Sequence, residues 1–381
     1  MRKLLIAPLA AALLLLGWSV PASAEPAPLI QITKATGEKI PGNYIVTYKD
    51  GAKATATITS LSTSPDFVYT DALNGFAGEL TADELKRLQS DPNVERIEED
   101  GVARIAATQT NPPWGLDRID QANLPLSNSY TYNSTGSGVY AYIIDTGIYT
   151  SHSQFGGRAT NVYNSAGGSN TDCNGHGTHV AGTVGASTYG VAKSVNLRGV
   201  KVLDCNGSGS WSGVIAGMDW VTANHTKPAV ANMSLGGAYN ASVNSAATRM
   251  ANAGVYTAVA SGNSNANACN YSPASASNVT SVNASDSGDR KASFSNYGSC
   301  THIYAPGVSV LSTWHNGGTN SISGTSMASP HVAGVGVLYK ATYGDAASST
   351  VHNWIISNAT NNVISGNPAG TPNRLLFKAN L

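Results

Sequence analysis

Short aliphatic runs alternate with helical stretches through much of this chain, and that alternation restricts it to few folds. Val139–Ile144, Val195–Leu203, Val230–Leu235 and Val255–Ala260 read as strands. Helical stretches at Val214–Asn224 and Ser242–Ala253 lie between the later ones. Strands separated by helices predict an α/β fold, with a parallel sheet and helices on both faces. In such sheets the chemistry collects at the C-terminal ends of the strands. Residues that directly follow a strand run are therefore the first candidates for function.

An earlier region has a different character. Tyr44–Tyr48 reads as a strand ending at Asp50-Gly51. Thr81 and Glu84 form a capping-box signature that opens a helix, with Leu80, Leu85 and Leu88 on one face. Val94–Ile97 reads as another strand, and a linker from Ala103 to Pro113 follows. Residues 41–104 thus form a small α+β domain. Residues 25–106 hold 13 acids and 8 bases, whereas residues 107–381 hold 9 acids and 12 bases. With formal net charge zero and only 12% charged residues, the chain is core-rich. It has no charge pattern for nucleic acid.

The N-terminus is a targeting segment. Arg2 and Lys3 precede the apolar run Leu4–Leu16, and Ala22-Ser23-Ala24 is a small-residue cleavage signal. Thirteen apolar residues are too few to span a bilayer. Residues 1–24 are expected to be a signal peptide, and the product is expected to be secreted without a membrane anchor. Export permits disulfides. Four cysteines allow three pairings, and the spacing of Cys173, Cys205, Cys269 and Cys300 suggests two sequential loops, 173–205 and 269–300. No CxxC pair suggests zinc.

Three residues carry candidate chemistry. Asp145 follows the first strand run of the alternating region. His176 lies in Asn174-Gly175-His176-Gly177-Thr178-His179, between glycines that allow close backbone approach. His176 and His179 are three apart and lack the Glu and the four-residue spacing of a metalloprotease motif. Ser326 lies in Ser323-Gly324-Thr325-Ser326-Met327-Ala328-Ser329-Pro330, ahead of the apolar run Val332–Tyr339. Pro330 is expected in a first turn, so the helix should start just before it and place Ser326 at its N-terminus. A serine hydroxyl needs a base, and an imidazole base needs an orienting carboxylate. Asn263, in Ala260-Ser261-Gly262-Asn263, follows another strand and is the candidate side-chain donor to an oxyanion, beside the Ser326 N–H. The order Asp, His, Ser and the absence of a Gly-x-Ser-x-Gly elbow exclude the α/β-hydrolase arrangement.

At these motifs the chain resembles the subtilisin-like serine proteases, in the proteinase K branch and nearest to aqualysin-type secreted enzymes. Trp114–Ile119, Tyr189–Ala192, Val202–Asp204, Asn232–Gly237 and Ser293–Gly298 also carry the resemblance, which extends over nearly the whole chain. It implies a subtilisin-like protease domain at 107–381, starting at Ala107. It also implies a ferredoxin-like inhibitory propeptide at 25–106 that assists folding. Asp145, His176 and Ser326 would be the catalytic set, and Asn263 would serve the oxyanion. Ser208, Gly209 and Ser210, with Ser234, Leu235 and Gly236, would flank an extended peptide substrate. The implied activity is broadly specific endopeptidase chemistry through an acyl-enzyme, from a self-processing precursor. The partners are peptide substrates and the chain's own propeptide, and a monomer is expected. The same family pairs Cys173 with Cys205 and Cys269 with Cys300.

The chemistry requires no cofactor, but the family carries structural calcium. Its strong site uses a carboxylate where this chain has His302, with the carbonyls of Ser277 and Val279. Calcium prefers oxygen ligands. Asp117, Asp120 and Gln121 match part of a second site, whose further ligands are replaced by Ser127 and Ser129.

Overall fold

A computed structural model describes residues 28–35, 39–52, 55–101 and 107–381. The expected signal segment and the expected processing residue Ala106 lie outside these ranges. The described residues divide into two units, with the boundary at residues 100 and 101.

The first unit is an α+β domain. Its strands are β1 (Ile32–Thr33), β2 (Lys39–Tyr48), β3 (Phe67–Tyr69), β4 (Gly75–Glu79) and β5 (Val94–Gly101), in the order β1-β5-β2-β4-β3. The helices are α1 (Thr55–Ile58) and α2 (Ala82–Gln89). The capping box is formed: Thr81 accepts from the Glu84 N–H, and the Glu84 carboxylate accepts from the Thr81 N–H at 2.8 Å. The Ser62 N–H also donates to Glu84, at 2.7 Å, and these bonds hold its carboxyl down at about 2. Val46, Phe76, Leu88, Val94 and Ile97 form the core.

The second unit is built on a nine-stranded sheet. Its strands are β6 (Tyr140–Asp145), β7 (Ala159–Asn164), β8 (Asn196–Lys201), β9 (Ala229–Met233), β10 (Tyr256–Ala260), β11 (Thr280–Ser285), β12 (Ile303–Pro306), β13 (Thr360–Asn361) and β14 (Arg374–Leu375). The order is β13-β14-β12-β11-β10-β9-β6-β8-β7, parallel except for the β13–β14 pair. Side chains alternate along β6. Ala141 and Ile143 join a core with Val180, Val184, Val332 and Val337, whereas Tyr142 and Ile144 join one with Val214, Met218, Val243 and Met250. A short helix, α3 (Trp114–Ile119), precedes the sheet; the first face is covered by α4 (His176–Gly185) and α7 (Thr325–Tyr343), the second by α5 (Trp211–Asn224) and α6 (Ala241–Asn252). Helices therefore cover both faces, as the alternation predicts.

One expectation about α7 fails. Pro330 lies in the second turn, since the helix begins five residues before it at Thr325. A proline there leaves the carbonyl four residues earlier without its helical donor. That carbonyl belongs to Ser326, and the Ser234 hydroxyl donates to it at 2.7 Å. The tertiary partner makes the proline tolerable. Ser326 still lies in the first turn.

Candidate active site

The strand ends assemble the site. Asp145 is the last residue of β6, Ser234 directly follows β9, and Asn263 follows β10. His176 opens α4 and Ser326 is the second residue of α7. A cleft of about 720 Å³ is lined by His176, Ser326, Asn263, Ser208, Gly209, Ser234, Leu235 and Gly236, among others. Asp145 lies beneath it, fully buried.

The His176 Nδ1–H donates to Asp145 Oδ1 at 2.8 Å. Burial pulls the imidazolium of His176 down. The attraction and hydrogen bond of Asp145, with added charge from Asp172, more than offset this, and the His176 pKa is raised. Two glycines make the approach possible. Gly175 adopts φ 111°, a conformation that favours glycine. A Cβ on Gly177 would stand 2.2 Å from the Gly147 carbonyl oxygen and 3.2 Å from Asp145 Oδ1. The Ser326 hydroxyl donates to the Ser234 carbonyl at 3.1 Å.

Asn263 is oriented by a residue that the motif reading did not single out. The Thr325 N–H and hydroxyl both donate to Asn263 Oδ1 at 2.8 Å. The amide oxygen is thereby engaged, which leaves the Nδ2 donors for the cleft.

Of the expected substrate segments, Ser210 stands apart. It does not line the cleft; its side chain caps α5, accepting from the Gly213 N–H at 3.1 Å. The cleft also takes in Leu203, Trp211 and Tyr271, which lie outside the expected site residues. The two disulfides join Cys173 to Cys205 and Cys269 to Cys300.

Most oxygens of the candidate calcium residues are otherwise engaged. Asp117 is buried, and its carboxylate accepts from the Ser127 N–H, the Ser127 hydroxyl and the Asn128 N–H at 2.8–3.0 Å. Gln121 Oε1 accepts from the Ser127 N–H at 3.1 Å, and Asp120 Oδ2 from the Thr131 N–H at 2.7 Å. Donors occupy both Asp117 oxygens, Gln121 Oε1 and Asp120 Oδ2, and only Asp120 Oδ1, buried without a hydrogen-bond partner among the described residues, is left free. One free oxygen falls short of the roughly six to eight that calcium takes, so the set as arranged does not fit the ion. His302 Nδ1 accepts from the Ser281 N–H at 3.0 Å, and the Ser277 carbonyl accepts from the Thr248 hydroxyl. The charged and titratable groups that act on His302 are His352 and Arg374, with no carboxylate among them. Among the described residues, no three His, Cys, Asp or Glu side chains are grouped to hold a metal.

Comparison with known proteins accords with this architecture. Residues 136–375 match the subtilase family, and residues 43–106 match the peptidase inhibitor I9 family. The chain is 48% identical to an extracellular serine proteinase of Thermus sp. (strain Rt41A), over 93% of each chain. It is also 48% identical to a cuticle-degrading protease of Metarhizium anisopliae, again over 93% of each. The crystal structure of a cold-adapted subtilisin-like serine proteinase superposes with a TM-score of 0.69 at 49% identity, covering 71% of this chain and 99% of that one. Among the described residues, no helix is long and apolar enough to cross a membrane. This chain therefore belongs to the subtilase family, and is a secreted subtilisin-like serine endopeptidase with an I9-type inhibitor segment at its N-terminal end.

Proposed function

We propose that Ser326 is the nucleophile, His176 the general base, Asp145 its orienting acid and Asn263 an oxyanion donor. The observation that carries this reading is the 2.8 Å Asp145–His176 hydrogen bond beside a cleft that Ser326 and Asn263 also line. With substrate bound, the Ser326 hydroxyl leaves the Ser234 carbonyl and gives its proton to His176 Nε2 as Oγ attacks the peptide carbonyl. The oxyanion is held by Asn263 Nδ2 and the Ser326 N–H, one of the first-turn donors that a helix leaves unpaired. His176 then protonates the leaving amine, and water releases the acyl group by the reverse path.

Specificity is broad in this reading. His176 is the only ionisable group with an acid–base role among the cleft residues, and no Asp, Glu, Lys or Arg lines it. An extended peptide would lie between Ser208-Gly209 and Ser234–Gly236, held by its backbone. Residues 25–106 act as inhibitor and folding aid, the Ala106–Ala107 bond is cut by the enzyme itself, and the product at 107–381 is a monomer. Calcium has no step in this chemistry. As a structural ion at Asp117, Asp120 and Gln121 it would have to displace the present hydrogen bonds; thermal inactivation with and without chelator tests for it. The catalytic reading is tested with a serine-directed phosphonate. Peptide mapping should place the label on Ser326, and active protein that resists labelling would refute it.

A further inference from the structure

Asp172 lies four residues before the first residue of α4 and is 3% exposed. Its Oδ1 accepts from the Thr146 hydroxyl at 2.9 Å, the Asn174 N–H at 3.0 Å and the Gly175 N–H at 2.9 Å. Its Oδ2 accepts from the Thr178 N–H at 2.9 Å and from the Thr178 hydroxyl. All five partners are donors, which is the environment of a carboxylate. Thr146 adjoins Asp145, and Gly175 and Thr178 flank the turn that holds His176. The Thr146 hydroxyl also accepts from the Gly177 N–H at 2.9 Å. Gly175, the N-cap residue of α4, offers no side chain, so Asp172 satisfies the helix end in its place.

We propose that Asp172 is a positioning residue for catalysis: it locks the β6 end that carries Asp145 to the α4 start that carries His176, and sets its own charge behind the imidazolium. This rests on the catalytic reading of Asp145, His176 and Ser326. A chain separation of 31 residues connects acid and base, and Asp172 is the side chain that bonds to both flanks. Near-attack geometry is steep, and a displacement of about 1 Å costs about 10²-fold in rate.

Its charge acts together with others around His176. Asp145 and Asp172 both favour the imidazolium. Lys201 lies close to the same carboxylates: Asp172, Asp204 and Asp145 favour its ammonium, which donates to the Thr146 carbonyl at 2.8 Å. His179, on the next turn, is pulled by burial to about 4 and stays neutral through neutral pH. An ordinary helix cap would affect stability alone. A positioning carboxylate also affects kcat and the acid limb of the pH–rate profile.

The test is Asp172→Asn, expressed as the full-length precursor and assayed after processing on a peptide substrate, with Ser326→Ala, expressed in the same way, assayed in parallel in whatever form it accumulates. The variant should lose about 10²-fold in kcat with KM near that of the wild type. Its acid limb should move to lower pH, because removing the anion lowers the His176 pKa. An unchanged kcat, or an unmoved acid limb, overturns the proposal. If Asp172→Asn does not fold, Thr146→Val decides. It deletes the Thr146 bonds to Asp172 and to the Gly177 N–H and keeps the Asp172 charge, so kcat should fall with the acid limb unmoved, and wild-type kcat overturns the proposal. Active Ser326→Ala would instead overturn the catalytic reading beneath it.

Discussion

Two neighbourhoods of half-buried imidazoles in the protease unit behave in opposite ways. His176 meets the Asp145 carboxylate at 2.8 Å, and its pKa is raised despite burial. His302 and His352 pack edge to face, with ring centroids 4.9 Å apart. Burial, each other's ring and the Arg374 guanidinium push His302 down to about 4, and burial and Arg374 lower His352 as well. His302 Nδ1 accepts a backbone N–H from Ser281, which only the neutral ring can do. Burial is common to both places. The sign is set by what faces the ring: carboxylates make a base that can hold a proton, whereas a cation and an N–H donor make a packing element that protonation would break.

The sharpest way to break the catalytic half of this contrast is Ser326→Ala. Turnover should fall by about 10⁶-fold, and intact precursor should accumulate, as read by kinetics and mass spectrometry. Mature protein starting near Ala107 in a protease-free host would contradict self-processing. Asp145→Asn comes next: kcat should fall by about 10⁴-fold, and the His176 pKa, followed by NMR, should drop because its main anion is gone. A His176 pKa that stayed raised would mean that carboxylates do not set the sign. Asn263→Ala should cost about 10²–10³ in kcat with little change in KM, if the Nδ2 donor acts only in the transition state.

The smallest effect belongs to the other half, and it is read as stability. The folded His302 pKa of about 4 lies below the usual value of 6.5. Its contribution is therefore complete above about pH 6.5 and is lost as pH falls through that range toward 4. Buried His179 and His331, both also held near 4, add to the same acid loss. His302→Asn retains an acceptor for the Ser281 N–H but has no proton to gain. Denaturant unfolding of phosphonate-blocked enzyme should show a shallower acid decline in the variant. Identical declines would remove His302 from the account.

Much of this was legible in the sequence because it depends on neighbours along the chain. The strand runs, the Thr81–Glu84 cap and the first-turn place of Ser326 follow from local patterns, and Asp145 was found by standing where its strand stops. Motif order together with resemblance then grouped Asp145, His176, Asn263 and Ser326. Other matters had no local signal. Pro330 sits a turn deeper in α7 than expected, because Ser234, 92 residues from Ser326, satisfies the carbonyl it leaves bare. Ser210 turned to cap α5, and Ser127 and Asn128 occupied Asp117 with N–H and O–H donors. Asp172 has no role that its local sequence marks; folding brings Thr146 and Thr178 to its two oxygens. Backbone propensity and periodicity act over a few residues, so the sequence by itself determined the elements and the residues at their ends. Hydrogen-bond partnership and local charge depend on which ends meet in space, and only the tertiary structure decided that.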